Sequence, residues 1–187
     1  MNNIKSRRWF LSTTAVSGFV FFTMNAPSFA SLQVVEKNWR YCASCGVLFS
    51  AGHGRGVCPK NPEGHDAAGF NFVVGYTDEC MPDAPKYQSR WRTCNKCLAM
   101  FYNGEGTKVC PARGPHAREE GKCFYIPTNR LHAEVLNPEN KFNQGAWRFC
   151  GRCGSLFYDG FLDNKGVCPV GGAHAALGDE FVLMHDT

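Results

Sequence analysis

One unit of sequence occurs three times in this chain, and each copy brings three cysteines and a histidine at nearly constant spacing. The first copy reads Trp39-Arg40-Tyr41-Cys42, Cys45-Gly46, Leu48-Phe49, then Gly56-Val57-Cys58-Pro59 and Gly64-His65. The second reads Trp91-Arg92-Thr93-Cys94, Cys97-Leu98, Met100-Phe101-Tyr102, then Val109-Cys110-Pro111, Gly114 and His116. The third reads Trp147-Arg148-Phe149-Cys150, Cys153-Gly154, Leu156-Phe157-Tyr158, then Gly166-Val167-Cys168-Pro169, Gly172 and His174. The copies start 52 and 56 residues apart, so each is a small unit that must find its stability outside a large apolar core.

The spacing is Cys-x2-Cys-x12-Cys-x6-His in copy one, Cys-x2-Cys-x12-Cys-x5-His in copy two and Cys-x2-Cys-x14-Cys-x5-His in copy three. Two residues between the first pair turn both sulfurs into one tight loop, and a glycine after the second cysteine eases it. Gly46 and Gly154 supply that glycine, and Leu98 departs from it. Three thiolates and one imidazole make a closed set of four, the form of a structural zinc site. The expected ligands are Cys42, Cys45, Cys58 and His65; Cys94, Cys97, Cys110 and His116; and Cys150, Cys153, Cys168 and His174, for three zinc ions per chain.

Other cysteine chemistries fit less well. A disulfide framework wants an even number per unit, and each unit has three. Haem attachment needs histidine directly after the second cysteine, rubredoxin-type iron wants four cysteines, and Rieske clusters want two histidines. Disulfides or another metal stand as the alternatives to zinc. Structural zinc supplies apparent binding free energy on the order of 10 kcal/mol or more, which offsets the cost of ordering such small units. Cys80 and Cys123 lie outside the units and either pair as one disulfide or serve as small apolar residues.

The N-terminus reads as an export signal. Lys5-Ser6-Arg7-Arg8-Trp9-Phe10-Leu11 resembles a twin-arginine signal, an apolar stretch follows from Ala15 to Met24, and Ser28 and Ala30 suit signal-peptidase cleavage before Ser31. Residues 1–30 are therefore set apart from the mature region 31–187. Removing Lys5, Arg7 and Arg8 from the 20 basic residues leaves 17 against 16 acidic ones, so the formal net charge falls from +4 to +1. That is no footprint for nucleic acid, and no later segment is long and apolar enough for stable membrane insertion. The expected location is the periplasm or the extracellular space. Exported thiols normally oxidise, and the twin-arginine route implied by the signal carries folded proteins; zinc loaded in the cytoplasm would shield them.

The fold class expected is all-β, small and loop-rich. Short apolar runs at Phe70–Val74, Cys123–Ile126 and Phe181–Met184 read as strands, as do the pieces flanking each Cys-x-x-Cys. The repeats span about 37–77, 89–127 and 145–187, separated by turn-rich segments at Met81–Ser89 and Asn137–Gly145. Three similar units suit a pseudo-threefold, β-trefoil-like assembly; the alternative is independent zinc-ribbon-like beads.

The remaining repeated residues have two readings each. Trp39, Trp91 and Trp147 are core anchors beside the metal turn or, in the sharper reading, an aromatic platform for a ligand. Arg40, Arg92 and Arg148 point to the opposite strand face and are expected to offset thiolate charge. Phe49, Phe101 and Phe157 read as core, Tyr102 and Tyr158 as exposed contacts for a ligand, and His53, His132 and His185 as ordinary surface or loop residues.

The Trp-x-x-Cys-x-x-Cys-x-x-Leu-Phe-Tyr, Gly-Val-Cys-Pro and Gly-Gly-x-His elements resemble tandem zinc-binding-type repeats of secreted bacterial proteins with no assigned activity. The third copy is closest, with Gly171-Gly172-Ala173-His174; the first departs, with Lys60-Asn61-Pro62-Glu63-Gly64-His65. The resemblance implies a metal-binding repeat and little chemistry. The function expected is an exported, zinc-stabilised binding or interaction module for carbohydrate or a cell-surface protein. The alternatives are a zinc-dependent enzyme, or a metal-storage or redox-sensing protein. Four protein ligands leave no open position for water or substrate, and neither His-Glu-x-x-His nor Gly-x-Ser-x-Gly occurs.

Overall fold

In each copy a long strand carries the tryptophan, a three-residue strand follows the Cys-x-x-Cys turn, and a third strand follows the histidine. A computed structural model of the chain describes residues 34–136 and 142–186. The export signal read from residues 1–30, with its cleavage before Ser31, lies outside the described residues, as does part of the linker read over Asn137–Gly145. Copy one contributes β1 (Val35–Cys42), β2 (Leu48–Ser50) and β3 (Ala67–Thr77). Copy two contributes β4 (Tyr87–Thr93), β5 (Met100–Tyr102) and β6 (Cys123–Pro127), and copy three β7 (Asn143–Cys150), β8 (Leu156–Tyr158) and β9 (Ala176–His185). The strands expected after each histidine are present, so the chain is nearly all β.

The first strand of each copy pairs antiparallel with the other two, and all three copies use the same register. Trp39 lies opposite Ser50 and Phe72, Trp91 opposite Tyr102 and Phe124, and Trp147 opposite Tyr158 and Phe181. Each ladder is irregular around its tryptophan. The residue just before it, Asn38, Arg90 or Ala146, has φ near +60° (65°, 62° and 60°). A bulge of this kind bends the strand and re-aims the neighbouring side chain. In every copy that neighbour is the indole, and it turns inward.

The copies do not stand apart. The short strands close a ring: Ser50 N–H donates to the Leu98 carbonyl (3.0 Å), Tyr102 N–H to Gly154 (2.9 Å) and Tyr158 N–H to Gly46 (2.9 Å). Inside the barrel-like sheet, equivalent residues stack in tiers of three. These are Trp39, Trp91 and Trp147; Leu48, Met100 and Leu156; Phe72, Phe124 and Phe181; and Val74, Ile126 and Leu183. Each indole meets the phenyl ring of the next copy edge-on, in the pairs Trp39–Phe124 (5.1 Å), Trp91–Phe181 (5.3 Å) and Trp147–Phe72 (5.1 Å). One shared core with this symmetry is the pseudo-threefold arrangement. The reading as independent beads is overturned, because no copy buries its tryptophan without its neighbour.

Symmetry weakens at the far end of the sheet. β3 pairs with both β6 and β9, but the ladder order β5-β4-β6-β3-β9-β7-β8 leaves β6 and β9 unpaired with each other. A short helix, α1 (Arg130–Leu136), lies beside that gap, with Ala133 packed on Val182 and Met184. At seven residues it is too short to show a helical period in sequence. Cys80 and Cys123 form a disulfide at the start of β6, as one of the two sequence readings has it. No helix among the described residues is long and apolar enough to cross a membrane.

Candidate metal centres

Alternation along the short strands creates two cores. Leu48, Met100 and Leu156 face the tryptophan tiers, so the next residues, Phe49, Phe101 and Phe157, must face the other way. There they join the nine free cysteines in a second buried cluster at one end of the molecule. The twelve sequence-predicted ligands fall into three groups of four, all buried, with the ligand atoms of each group within 4.8 Å of one another.

The spacing of those atoms tests what they could hold. Metal–sulfur bonds of ~2.3 Å and a metal–nitrogen bond of ~2.0 Å at tetrahedral angles place two sulfurs roughly 3.8 Å apart and a sulfur and nitrogen roughly 3.5 Å apart. Cys94 Sγ and Cys110 Sγ are separated by 3.8 Å. Nδ1 of His65, His116 and His174 lies 3.5 Å from Sγ of Cys45, Cys97 and Cys153 respectively. The groups can therefore each hold a tetrahedral metal ion through three sulfurs and an imidazole Nδ1.

The electrostatics point the same way. Crowding three thiols splits their acidities. Hydrogen bonding from Cys45, opposed by burial, draws the Cys42 thiol down to about 3, and hydrogen bonding from Cys153 draws Cys168 down to about 5. Cys45, Cys97 and Cys153 are pushed up instead, each by bonds to its two companion thiols and then by burial. Burial pulls His116 and His174 down, yet bonds to Cys110 and Cys94, and to Cys150 and Cys168, lift both to about 9. The protein thus concentrates anionic sulfur in a buried place, which a divalent cation relieves. Backbone amides help: Cys42 accepts from the N–H of Cys45 and Asp66, Cys150 from Cys153 and Ala175, and Cys58 from Lys60 and Asn61.

Each histidine also reaches its neighbour. His65 Nε2 lies 3.0 Å from the carbonyl of Cys97, His116 Nε2 3.2 Å from that of Cys153, and His174 Nε2 3.1 Å from that of Cys45. With Nδ1 committed to a metal, Nε2 carries the hydrogen and donates to the carbonyl. The ring faces stack on Phe49, Phe101 and Phe157, at 4.7, 4.6 and 4.9 Å between centroids, which fixes the imidazole plane.

The departures from the repeat pattern explain one another across the same boundaries. Leu98 stands where Gly46 and Gly154 stand, with φ 62° in the left-handed region. Facing it is Gly56, where an added Cβ would lie 2.2 Å from the Cys97 carbonyl oxygen and 3.1 Å from the Leu98 Cβ. Lys108 replaces the glycine found at Gly56 and Gly166, and it packs on Gly154. The third boundary sets Gly166 against Gly46, where an added Cβ on Gly166 would lie 2.0 Å from the Cys45 oxygen. One bulky residue is admitted per boundary at most.

Several expectations change. Trp39, Trp91 and Trp147 have 0% exposure, so the ligand-platform reading gives way to the core reading. Tyr102 is buried with its ring tilted against Trp91 and is not the exposed contact expected, whereas Tyr158 is half-buried, edge-on to Trp147, and keeps part of its ring at the surface. The guanidinium groups of Arg40, Arg92 and Arg148 go to carbonyls on the third strand or just before it, those of Gly69, Lys122 and Gly178. They brace the sheet in place of the expected offset to thiolate charge. His185 is buried, stacked on Phe70 at 3.8 Å, and is no surface residue. His53 ends a single 3-10 turn, bonded to Ser50, and His132 lies in α1, bonded to Thr128.

One exposed aromatic surface centres away from the repeated residues. Tyr41 and Tyr158 meet Phe161 edge-on at 6.2 and 5.0 Å, and Phe161 and Leu162 are 49% and 91% exposed. This shelf spans copies one and three, and the repeat pattern could not reveal it because Phe161 and Leu162 sit in copy three's longer insertion between Cys153 and Cys168. No family model matches the chain, and no curated protein or solved structure matches it.

Proposed function

We propose that this protein is an exported binding module whose three Cys3His sites hold zinc as structural staples. The observation that carries the reading is closure: each site already has four buried protein ligands at tetrahedral spacing, leaving no coordination position for water or substrate. Zinc suits three thiolates and an imidazole, has no redox chemistry of its own, and would shield the thiolates from oxidation. The twin-arginine-like signal at Lys5–Leu11 supports export, and the Cys80–Cys123 disulfide suits an oxidising compartment.

Binding is assigned to the surface, because the metals and the tryptophans are internal. The shelf formed by Tyr41, Tyr158, Phe161 and Leu162 offers aromatic faces and edges of the kind that carbohydrate rings or a cell-surface protein would contact. Metal analysis of the purified protein tests the first half: close to three zinc ions per chain is expected, and a value near zero would overturn it. Glycan-array binding tests the second half. Phe161→Ala should abolish any signal without changing zinc content, and unchanged binding would remove the shelf from the proposal.

A further inference from the structure

We propose that the three sites take up metal as one cooperative unit, coupled through the histidines. The inference rests on the metal reading above. Each histidine belongs to two sites at once: its Nδ1 completes its own ligand set, and its Nε2–H bonds the second-cysteine carbonyl of the next set. His65 links site one to Cys97 of site two, His116 links site two to Cys153 of site three, and His174 links site three back to Cys45 of site one. The linkage is a closed ring.

Coupling arises from the effect of metal on each imidazole. A metal on Nδ1 fixes the tautomer with hydrogen on Nε2 and holds the ring in place. The ring in turn holds the carbonyl of a residue whose own sulfur is a ligand next door. In copy one this carbonyl has a second bond, from the Val167 N–H at 3.0 Å, so site three approaches Cys45 through both its histidine and the chain before Cys168. Filling one site therefore orders a ligand of the next, and the entropy of ordering that loop is spent before the second ion arrives. The last ion closes the ring and stabilises the site that was filled first.

The test is a titration of the metal-free chain with Co²⁺, read by thiolate-to-metal absorbance, with native mass spectrometry counting ions per chain. Below saturation, metal-free and three-metal chains should dominate, with a Hill coefficient of ~2–3. His65→Cys keeps four protein ligands but deletes the Nε2–H donor, so one- and two-metal chains should accumulate and the coefficient should fall. Gly56→Ala alters no ligand yet crowds the Cys97 carbonyl, and it should have the same effect if His65→Cys does not fold. A wild-type chain that fills statistically would overturn the proposal while leaving the metal reading intact. Variants that still fill all-or-none would show that the histidines do not carry the coupling. A wild-type chain that takes up no metal would overturn both.

Discussion

The two ends of this molecule obey different rules. At the metal end four features occur three times each: the Cys-x-x-Cys turn, the histidine–carbonyl bond, the Phe–His stack and the strand-ring hydrogen bond. At the other end the threefold pattern breaks. β3 pairs with two third strands, β6 and β9 leave a gap beside α1, and one disulfide ties Cys80 to Cys123. Coordination geometry tolerates little displacement, so three sites sharing ligand-bearing turns hold one another to the same shape. Apolar packing and strand edges accept many solutions of similar free energy, so that end is free to differ.

If that contrast is right, damage at the metal end spreads and damage at the other end stays local. The largest effect expected is from metal removal. A strong chelator should unfold the whole chain, since a structural metal at each site would contribute on the order of 10 kcal/mol; far-UV circular dichroism retaining its β signal after complete removal would break the contrast. Next comes the shared core between the ends. Trp91→Ala should cost about 3–5 kcal/mol in denaturant unfolding, because the indole is fully buried against Phe181, Tyr102 and Phe149.

Opening the disulfide should cost less and leave the metal sites alone. It closes a separation of 43 residues, for which chain entropy gives about 4 kcal/mol as an upper figure. Cys80→Ala with Cys123→Ala should lower the melting temperature without reducing the number of metal ions bound. Metal loss in that double variant would mean that the two ends are coupled more tightly than the bonding suggests.

The smallest effect concerns Asp66, which follows the first histidine. Hydrogen bonds from Ser44 and Asn61, and then the Arg55 guanidinium, hold its carboxyl below the ordinary value of 3.8. A depressed folded value stabilises the fold above the unfolded pKa, and that contribution disappears as pH falls through the folded value. Asp66→Asn should therefore be slightly less stable than wild type at neutral pH, with the difference closing in strong acid. A difference that grows with acid would contradict the assignment. Exposure of the group keeps the effect small.

Much of the metal end was legible in the sequence because its constraints are local. Cys42, Cys45, Cys58 and His65 and their counterparts are the only residue types that make a closed sulfur–nitrogen set, and their spacing repeats three times. Strand positions followed from short apolar runs, and the pairing of Cys80 with Cys123 was one of two open readings. Other features depend on what lies across a boundary. That Leu98 is admitted because Gly56 faces it, or Lys108 because Gly154 does, requires residues more than 40 positions apart to be seen together. The inward turn of each tryptophan depends on a bulge whose left-handed residue is Asn38, Arg90 or Ala146, types that announce nothing.

Which atoms can bind metal follows from residue type and spacing alone, since ligand chemistry belongs to the side chain and the Cys-x-x-Cys turn brings its own backbone amides. That the three units are one body is a property of the folded chain. Each unit leaves a tryptophan, a histidine Nε2–H and a short strand edge unsatisfied, and in every case the partner is supplied by another copy. Periodicity reveals that such groups recur, but the ring they close exists only once the chain has folded.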